Sequence, residues 1–543
     1  MLPTAPGEVL QVILGFNKKE SCDVNEISFN LLQKVAFPIS KPLSHIFNLS
    51  IETGIFPEKM KISKTIPIFK NGSPLELENH RGVSIVDSFS KIYEKLASTR
   101  LIDFLTRSNF FYDKQFAFLK GRSTNHAILQ IFNYVTNSIN SKKYTLAIFL
   151  DVAKAFDSVD HQILFSKLEN AGVRGLSLKW FKSFLSNRKQ KVKIGKIWSS
   201  TLKEMDISVL QGSIIGVILF LIFVNDLYNC DPELFAVLFA DDLTSLISHD
   251  NIKTLNELGN KCIDKLLNWY TANKLAIHPG KSRYMIFKAP YVSLDMLPKM
   301  KPTEFPYFPL FLNMNNEGEN NISKIKLIKG VPNESETSLK VLGILIDQHL
   351  NLQDHAKAIH SKVSKNIYML NQVKNVLDSQ TLKLIYFAHI HSHLNYCSNI
   401  LNMCTTTALK PLIVLQKKAI RMIFKLPGRA HTAQLFIDNE ILPLNELIDF
   451  TIFMFMFDFV RGNLPLSFDT HWSENGQINL NNYALRNATD LHIPRTIYKY
   501  LDSHPLYNFA KLWNDLPNNL KVVHNRNEFE CSIKNLLVNR ITV

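Results

Sequence analysis

Apolar runs that stop at acidic residues organise this chain. Tyr144-Thr-Leu-Ala-Ile-Phe-Leu150 is apolar and partly β-branched, which predicts a buried strand ending at Asp151. Two more runs, Leu234–Phe239 and Leu243–Ile247, flank Ala240-Asp241-Asp242 and predict a β-hairpin with an acid pair at its turn. Between these sites, Gln211-Gly212-Ser213 opens the apolar stretch Ile214–Phe220, read as a turn entering a helix.

Helical spacing predicts a helix from Ser88 to about Arg107, with Ile92, Leu96, Leu101 and Leu105 on one face. It predicts others over His161–Ala171 and Ile252–Asn273 and several over Leu352–Lys425. Residues 1–60 and 446–543 read as mostly helical, the latter with no assignable chemistry. Lys64–Lys70, Gln190–Ile194 (lysines outward), Leu275–Phe287 and Lys340–Asp347 read as strands with turns. From about 289 to 338, spaced prolines and then asparagines mark a surface insertion or linker.

Composition narrows the function. A formal charge of +15 and a pI near 9.3 call for a polyanionic partner, nucleic acid or membrane surface. Lysine and arginine are spread along the chain, which favours a long basic channel. The six cysteines form no Cys-x-x-Cys pair, so an intracellular, reducing compartment is expected. No charged segment followed by an apolar core opens the chain. Ile214–Val224 is too short to span a bilayer, which takes ~20 residues, and Leu447–Val460 is broken by Asp449 and Asp458. No membrane partner is expected.

A carboxylate at the tip of a core strand is costly unless a cation or donor meets it. Three brought together repel one another and favour protonation. Divalent ions bridging them remove that cost, and hard oxygen ligands suit Mg²⁺. Two such ions can activate an attacking hydroxyl and stabilise a leaving phosphate. Because neighbouring strand residues face opposite ways, Asp242 joins Asp151 and Asp241 only if the turn twists it inward.

The ordered set resembles the reverse transcriptases of non-LTR (LINE-type) retrotransposons, jockey-like group. Those proteins carry a strand-end aspartate, a Gln-Gly-Ser loop and a Phe/Tyr-Ala-Asp-Asp hairpin in this order. Here Gln211 follows Asp151 by 60 positions and Asp241 follows Gln211 by 30. The likeness covers about residues 40–445 and implies an α+β, right-hand polymerase architecture. It divides into an N-terminal helical extension (1–60), fingers (61–143), palm (144–288), insertion (289–338), primer-side hairpin and thumb (339–445), and a C-terminal helical region (446–543).

The resemblance also implies site roles. Asp151, Asp241 and Asp242 hold two Mg²⁺ ions, with Mn²⁺ as substitute, and Lys281 protonates the pyrophosphate leaving group or is a surface lysine. Arg81 meets the incoming triphosphate, its alternative being a salt bridge within the fingers. Gln211 lies against the nucleotide, and Gly212 permits close backbone approach. Phe156 gates against a ribose 2′-hydroxyl or is a core residue. Lys120 and Arg122, beside Phe116 and Phe118, hold the template, with an ordinary capped helix start as the alternative.

Departures from the family pattern are Ser21-Cys-Asp-Val for a Gly-Pro-Asp-Gly turn, Gly82, Leu210 and Val217 for proline, and Ala117 for glycine. His391, His393, Cys397 and Cys404 lack zinc-site spacing and read as packing.

The function expected is RNA-directed DNA synthesis from a DNA primer or target DNA, with the element RNA as template and dNTPs as substrates, in cytoplasm and nucleus. The relatives commonly carry an endonuclease ahead of this region. The ~60 residues before the fingers hold none, so nicking is expected from elsewhere or from a longer protein. The rivals are a decayed or repurposed, catalytically inactive nucleic-acid-binding relative and an RNA-copying RNA polymerase.

Overall fold

The computed structural model describes residues 1–70, 72–199, 201–205, 207–278, 281–290, 311–315, 322–326, 328–329, 338–478 and 488–541. Most of the expected insertion (289–338) lies outside these residues.

The chain is a mixture of helices and mainly antiparallel sheets, an α+β arrangement. Strands are numbered in chain order. A first sheet holds β1 (Ile62–Phe69), β2 (His80–Val86), β4 (Arg188–Ile194), β5 (Ile197–Trp198) and β6 (Lys203–Met205). Here β1 pairs antiparallel with β2 and parallel with β4.

The central sheet holds β3 (Tyr144–Leu150), β7 (Phe235–Phe239), β8 (Asp242–His249) and β9 (Arg283–Phe287), in the order β9-β3-β8-β7. β12 (Ile328–Lys329) extends its β9 edge. The remaining strands pair as two hairpins, β10 (Phe311–Asn315) with β11 (Ile322–Lys326), and β13 (Ser338–Val341) with β14 (Ile344–Asp347).

The central sheet is buried on both faces, which is why β3 reads as a continuous apolar run. Leu146, Ile148, Leu150, Leu243 and Ile247 pack towards the helices Ile214–Val224 and Ile252–Ala272 and the N-terminal helices. Ala147, Leu246, Val237, Met285 and Phe287 join a second core with the helices beyond residue 350. The period of two along each strand thus divides one sheet between two cores. Carboxylates are excluded from such a sheet except at its ends, and Asp151 stands at one.

Local signals set most helix limits. Helix Ser88–Arg107 begins where Asp87 accepts from the Ser90 amide, and Ile252–Ala272 where Asn251 accepts from Lys253 and Thr254. The unusual Ser21–Val24 segment is a turn built on buried Asp23. That carboxylate accepts from the amides of Asn25 (2.8 Å), Ile27 (3.0 Å) and Ser88 (2.8 Å), tying the N-terminal extension to the start of helix Ser88–Arg107.

The C-terminal region is no loose tail. Phe455, Phe468, Trp472 and Phe509 form an aromatic cluster that reaches Phe116 and His126. Gln130 donates to the Ser467 carbonyl at 3.0 Å, and Thr136 shares a 2.8 Å hydrogen bond with fully buried His504. The region therefore braces helix Thr124–Asn140 against the helices beyond 350. Cys397 and Cys404 are buried in this core, and burial pushes both thiols up to about 12. Among the described residues, no helix is long and apolar enough to cross a membrane.

Candidate active site

The tip of β3 is clasped from the side. The Asp151 amide donates to Ser282 Oγ at 3.3 Å, and the Asp151 carbonyl accepts from the His278 amide at 2.8 Å. The β7–β8 hairpin closes through Ala240 and Asp241, with Ala240 at φ +56°. In the β3–β8 ladder Leu150 pairs with Leu243, so the next step of the register sets Asp151 across from Asp242. Residues opposite each other in an antiparallel pair share a face. Asp242 is thus no outward-facing bystander: it lines a solvent-open cleft of about 220 Å³ with Asp151, Lys281, Arg283, Lys340 and Leu342. The condition set for Asp242, that the turn bring it inward, is met by register: Asp241 lies in the turn and Asp242 is the first residue of β8.

The three carboxylates feel one another. Asp242 is exposed to the cleft, yet the protein around it displaces enough water, with the charges of Asp241 and Asp151 adding to the effect, to push its carboxyl up to about 6. Burial also raises Asp241, as does Asp151, while its own backbone and then Arg81 and Lys70 oppose the rise. Lys281 Nζ stands 3.5 Å from Asp151 Oδ2. Among the described residues no three acid, histidine or cysteine side chains close into a metal cage. The all-oxygen donor set and the unrelieved negative charge on Asp242 nevertheless fit a divalent cation.

Arg81 lies on β2 opposite Ile68 of β1, with Lys70 just beyond the end of β1. Both cations act on Asp241, and Arg81 also acts on Asp157. Among the described residues Arg81 makes no salt bridge, so the ion pair within its own sheet is not formed. Asp157 accepts a 3.2 Å hydrogen bond from Gln211 Nε2. The Gln211 carbonyl accepts from the Ser84 amide at 2.8 Å, and Gly212 (φ +125°) presses so close that an added Cβ would lie 2.2 Å from the Ser84 carbonyl oxygen. Phe156 is half-buried, one face stacked on Phe220 at 4.4 Å.

Glu94 fixes this loop from beneath. It is fully buried, and its Oε2 accepts from Ser213 Oγ (2.6 Å) and the amides of Ile214 (2.7 Å) and Ile215 (3.4 Å). It thereby satisfies the open N-terminus of the apolar helix Ile214–Val224.

The segment before helix Thr124–Asn140 joins the acid hairpin directly. Phe116 N donates to the Leu238 carbonyl, and Leu238 N to that of Lys114, both at 2.9 Å. Buried Gln115 Oε1 accepts from Ala240 N at 3.1 Å, the residue before Asp241. Arg122 Nη1 donates to the carbonyls of Tyr112, Asp113 and Gln115, so it shapes this loop from inside. Lys120 is exposed, Phe116 is core, and Phe118 stands 59% exposed at φ +57°, a strained setting for a bulky residue.

Sequence reading missed Lys70, Asp157, Glu94 and Gln115 as site residues. Only Lys70 carried a local signal, as a cation where a strand meets an Asn-Gly turn.

A sequence profile of the family described as reverse transcriptase (RNA-dependent DNA polymerase) matches residues 68–346. The chain belongs to the reverse transcriptase family. The matched span runs from the end of β1 into β14 and so takes in the first and central sheets, the β7–β8 acid hairpin and most of the β13–β14 hairpin. Among curated proteins, it is 25% identical over 460 residues to the probable RNA-directed DNA polymerase from transposon BS of Drosophila melanogaster, covering 82% of this chain and 47% of that protein. It is 24% identical over 437 residues to the probable RNA-directed DNA polymerase from transposon X-element of the same species, covering 78% and 44%. It is also 24% identical over 422 residues to the RNA-directed DNA polymerase from mobile element jockey of Drosophila funebris, covering 74% and 42%. This reverse transcriptase chain therefore spans somewhat under half the length of these relatives.

Proposed function

We propose that this chain copies RNA into DNA for a non-LTR retrotransposon, extending a DNA 3′-hydroxyl with dNTPs on the element's RNA. One observation carries the reading. Asp151, Asp241 and Asp242, from two distant segments, share one field of negative charge at the end of the central sheet, and Arg81 and Lys70 act on it from the first sheet. The names of the relatives, RNA-directed DNA polymerases of transposons, support the same conclusion.

In this reading the first sheet and its helices (61–143) are the fingers and the central sheet (144–288) the palm. The β13–β14 hairpin with the helices to 445 is the primer side and thumb. Residues 1–60 and 446–543 are helical braces, and 289–338 is an insertion. All six cysteines are free thiols, which suits a reducing intracellular compartment.

Asp151, Asp241 and Asp242 would hold Mg²⁺, or Mn²⁺ in its place. When bound, two such ions supply activation of the 3′-hydroxyl and charge relief on the leaving pyrophosphate. Lys281, beside Asp151, would protonate that leaving group. Arg81, seconded by Lys70, forks onto triphosphate oxygens in a way an ammonium alone cannot. Gln211 and Gly212 form the floor under the incoming nucleotide, held by Ser84 and Glu94. Phe156, backed by Phe220, crowds the place of a 2′-hydroxyl. Lys120 and Phe118 grip the template by charge and stacking, on a loop that Arg122 shapes.

Primer extension on an RNA template, with Mg²⁺ and with a chelator, tests this. DNA synthesis with Mg²⁺ and none in chelator supports the proposal; synthesis in chelator, or none with Mg²⁺, rejects it.

A further inference from the structure

The turn of the β13–β14 hairpin borders the cleft with a constrained backbone. Both central residues have positive φ, Leu342 at +45° and Gly343 at +88°. A two-residue hairpin turn needs such a pair, but leucine is a poor occupant of it. Leu342 lines the cleft beside Asp151 and Asp242, and Lys340 of the same hairpin lines it too.

Tyr396 holds this turn from the helical region, 54 positions further on. Its phenol donates a 2.6 Å hydrogen bond to the Leu342 carbonyl. Its ring lies so close over Gly343 that an added Cβ would come within 3.3 Å of a ring carbon. One phenol thus joins the cleft hairpin to the helices beyond 350. The segment bearing it is irregular: a π-helical turn spans Phe387–His391 just before, and Cys397 just after sits at φ +49°. Irregularities of both kinds gather at functional sites. Burial does not explain the residue, since Tyr396 is 40% exposed.

We infer that Tyr396 is a positioning residue for the growing DNA end. It fixes the hairpin tip at the height where a primer 3′-hydroxyl meets Asp151 and Asp242, and it ties that height to the stance of the duplex-gripping helices. The inference rests on the polymerase reading above.

The test is single-nucleotide incorporation by Tyr396→Phe, which keeps the ring and removes only the hydroxyl. The maximal rate should fall about tenfold, as expected when one hydrogen bond that sets alignment is lost. KM for dNTP, affinity for an RNA–DNA primer–template and thermal midpoint should stay within twofold or a degree or so of wild type. A wild-type maximal rate in the variant overturns the inference, as does a rate loss matched by equal loss of duplex affinity or folding. If wild type itself makes no DNA, the polymerase reading fails first and carries this inference with it.

Discussion

The Lys281 ammonium stands 3.5 Å from an Asp151 carboxylate oxygen, at the place where a strand-tip acid needs a positive partner. The lysine is exposed, so the pair is worth roughly 0.2–1 kcal/mol. Lys281→Met should free Asp151 and lower the Mg²⁺ half-saturation concentration by about two- to fivefold, as read by thermal-shift titration. The same change should slow nucleotide incorporation about a hundredfold if the lysine is the proton donor. An unaltered rate would return Lys281 to the status of a surface lysine.

Asp242 makes the fold pH-sensitive. Displaced water and its acidic neighbours push it up to about 6 from an ordinary value of 3.8. The folded chain then binds the proton more tightly than the unfolded one, so this contribution is fully present below the unfolded value and lost as pH rises through the folded one. In chelator, thermal stability should decline between about pH 4 and pH 6 on this account, and Asp242→Asn should flatten that slope. Mg²⁺ at pH 7 should stabilise the wild type more than the variant. Equal stabilisation of both would show that Asp242 does not meet the cation.

Glu94 should matter out of proportion to its distance from the cleft. Glu94→Ala leaves the hydroxyls of Ser213 and Ser90 and two helix-terminal amides without their acceptor, at a cost of about 1–3 kcal/mol in a denaturant melt. Because that helix follows Gln211 and Gly212, KM for dNTP should rise with it. A fully stable variant with normal KM would mean the loop holds its shape without the carboxylate.

Arg81→Ala should chiefly raise KM for dNTP, and Lys70→Ala should do so more weakly, since only a guanidinium forks onto phosphate. Phe156→Val should admit ribonucleotides, measured as the ratio of kcat/KM for rNTP and dNTP. Unchanged sugar selectivity would leave Phe156 as mere packing for Phe220.

What could be read from sequence was what local chemistry decides. Strand Tyr144–Leu150, helix Ser88–Arg107 and the helix opened by Ser213 announce themselves through apolar period and capping residues, and they lie where that pattern predicts. Register was not legible. That Asp151 faces Asp242 depends on Leu150 meeting Leu243, which neither segment encodes alone. The roles of Glu94 and Gln115 were hidden for the same reason, as each acts on a turn more than a hundred positions away. In the Gln190–Ile194 strand, Lys191 and Lys193 share one face, as alternation predicts, but their contact with the Trp198 ring, at 5.5 and 4.9 Å, comes from a neighbouring strand and was not legible. The C-terminal region carried no motif; what its described residues show is packing against distant helices, which no local pattern announces.

The most direct measurement is single-turnover extension of a DNA primer on RNA by Asp241→Asn, beside its RNA-binding curve. The account predicts that extension with Mg²⁺ is abolished while RNA affinity stays near wild type. Persistent extension at a comparable rate would contradict the central role given to the three aspartates.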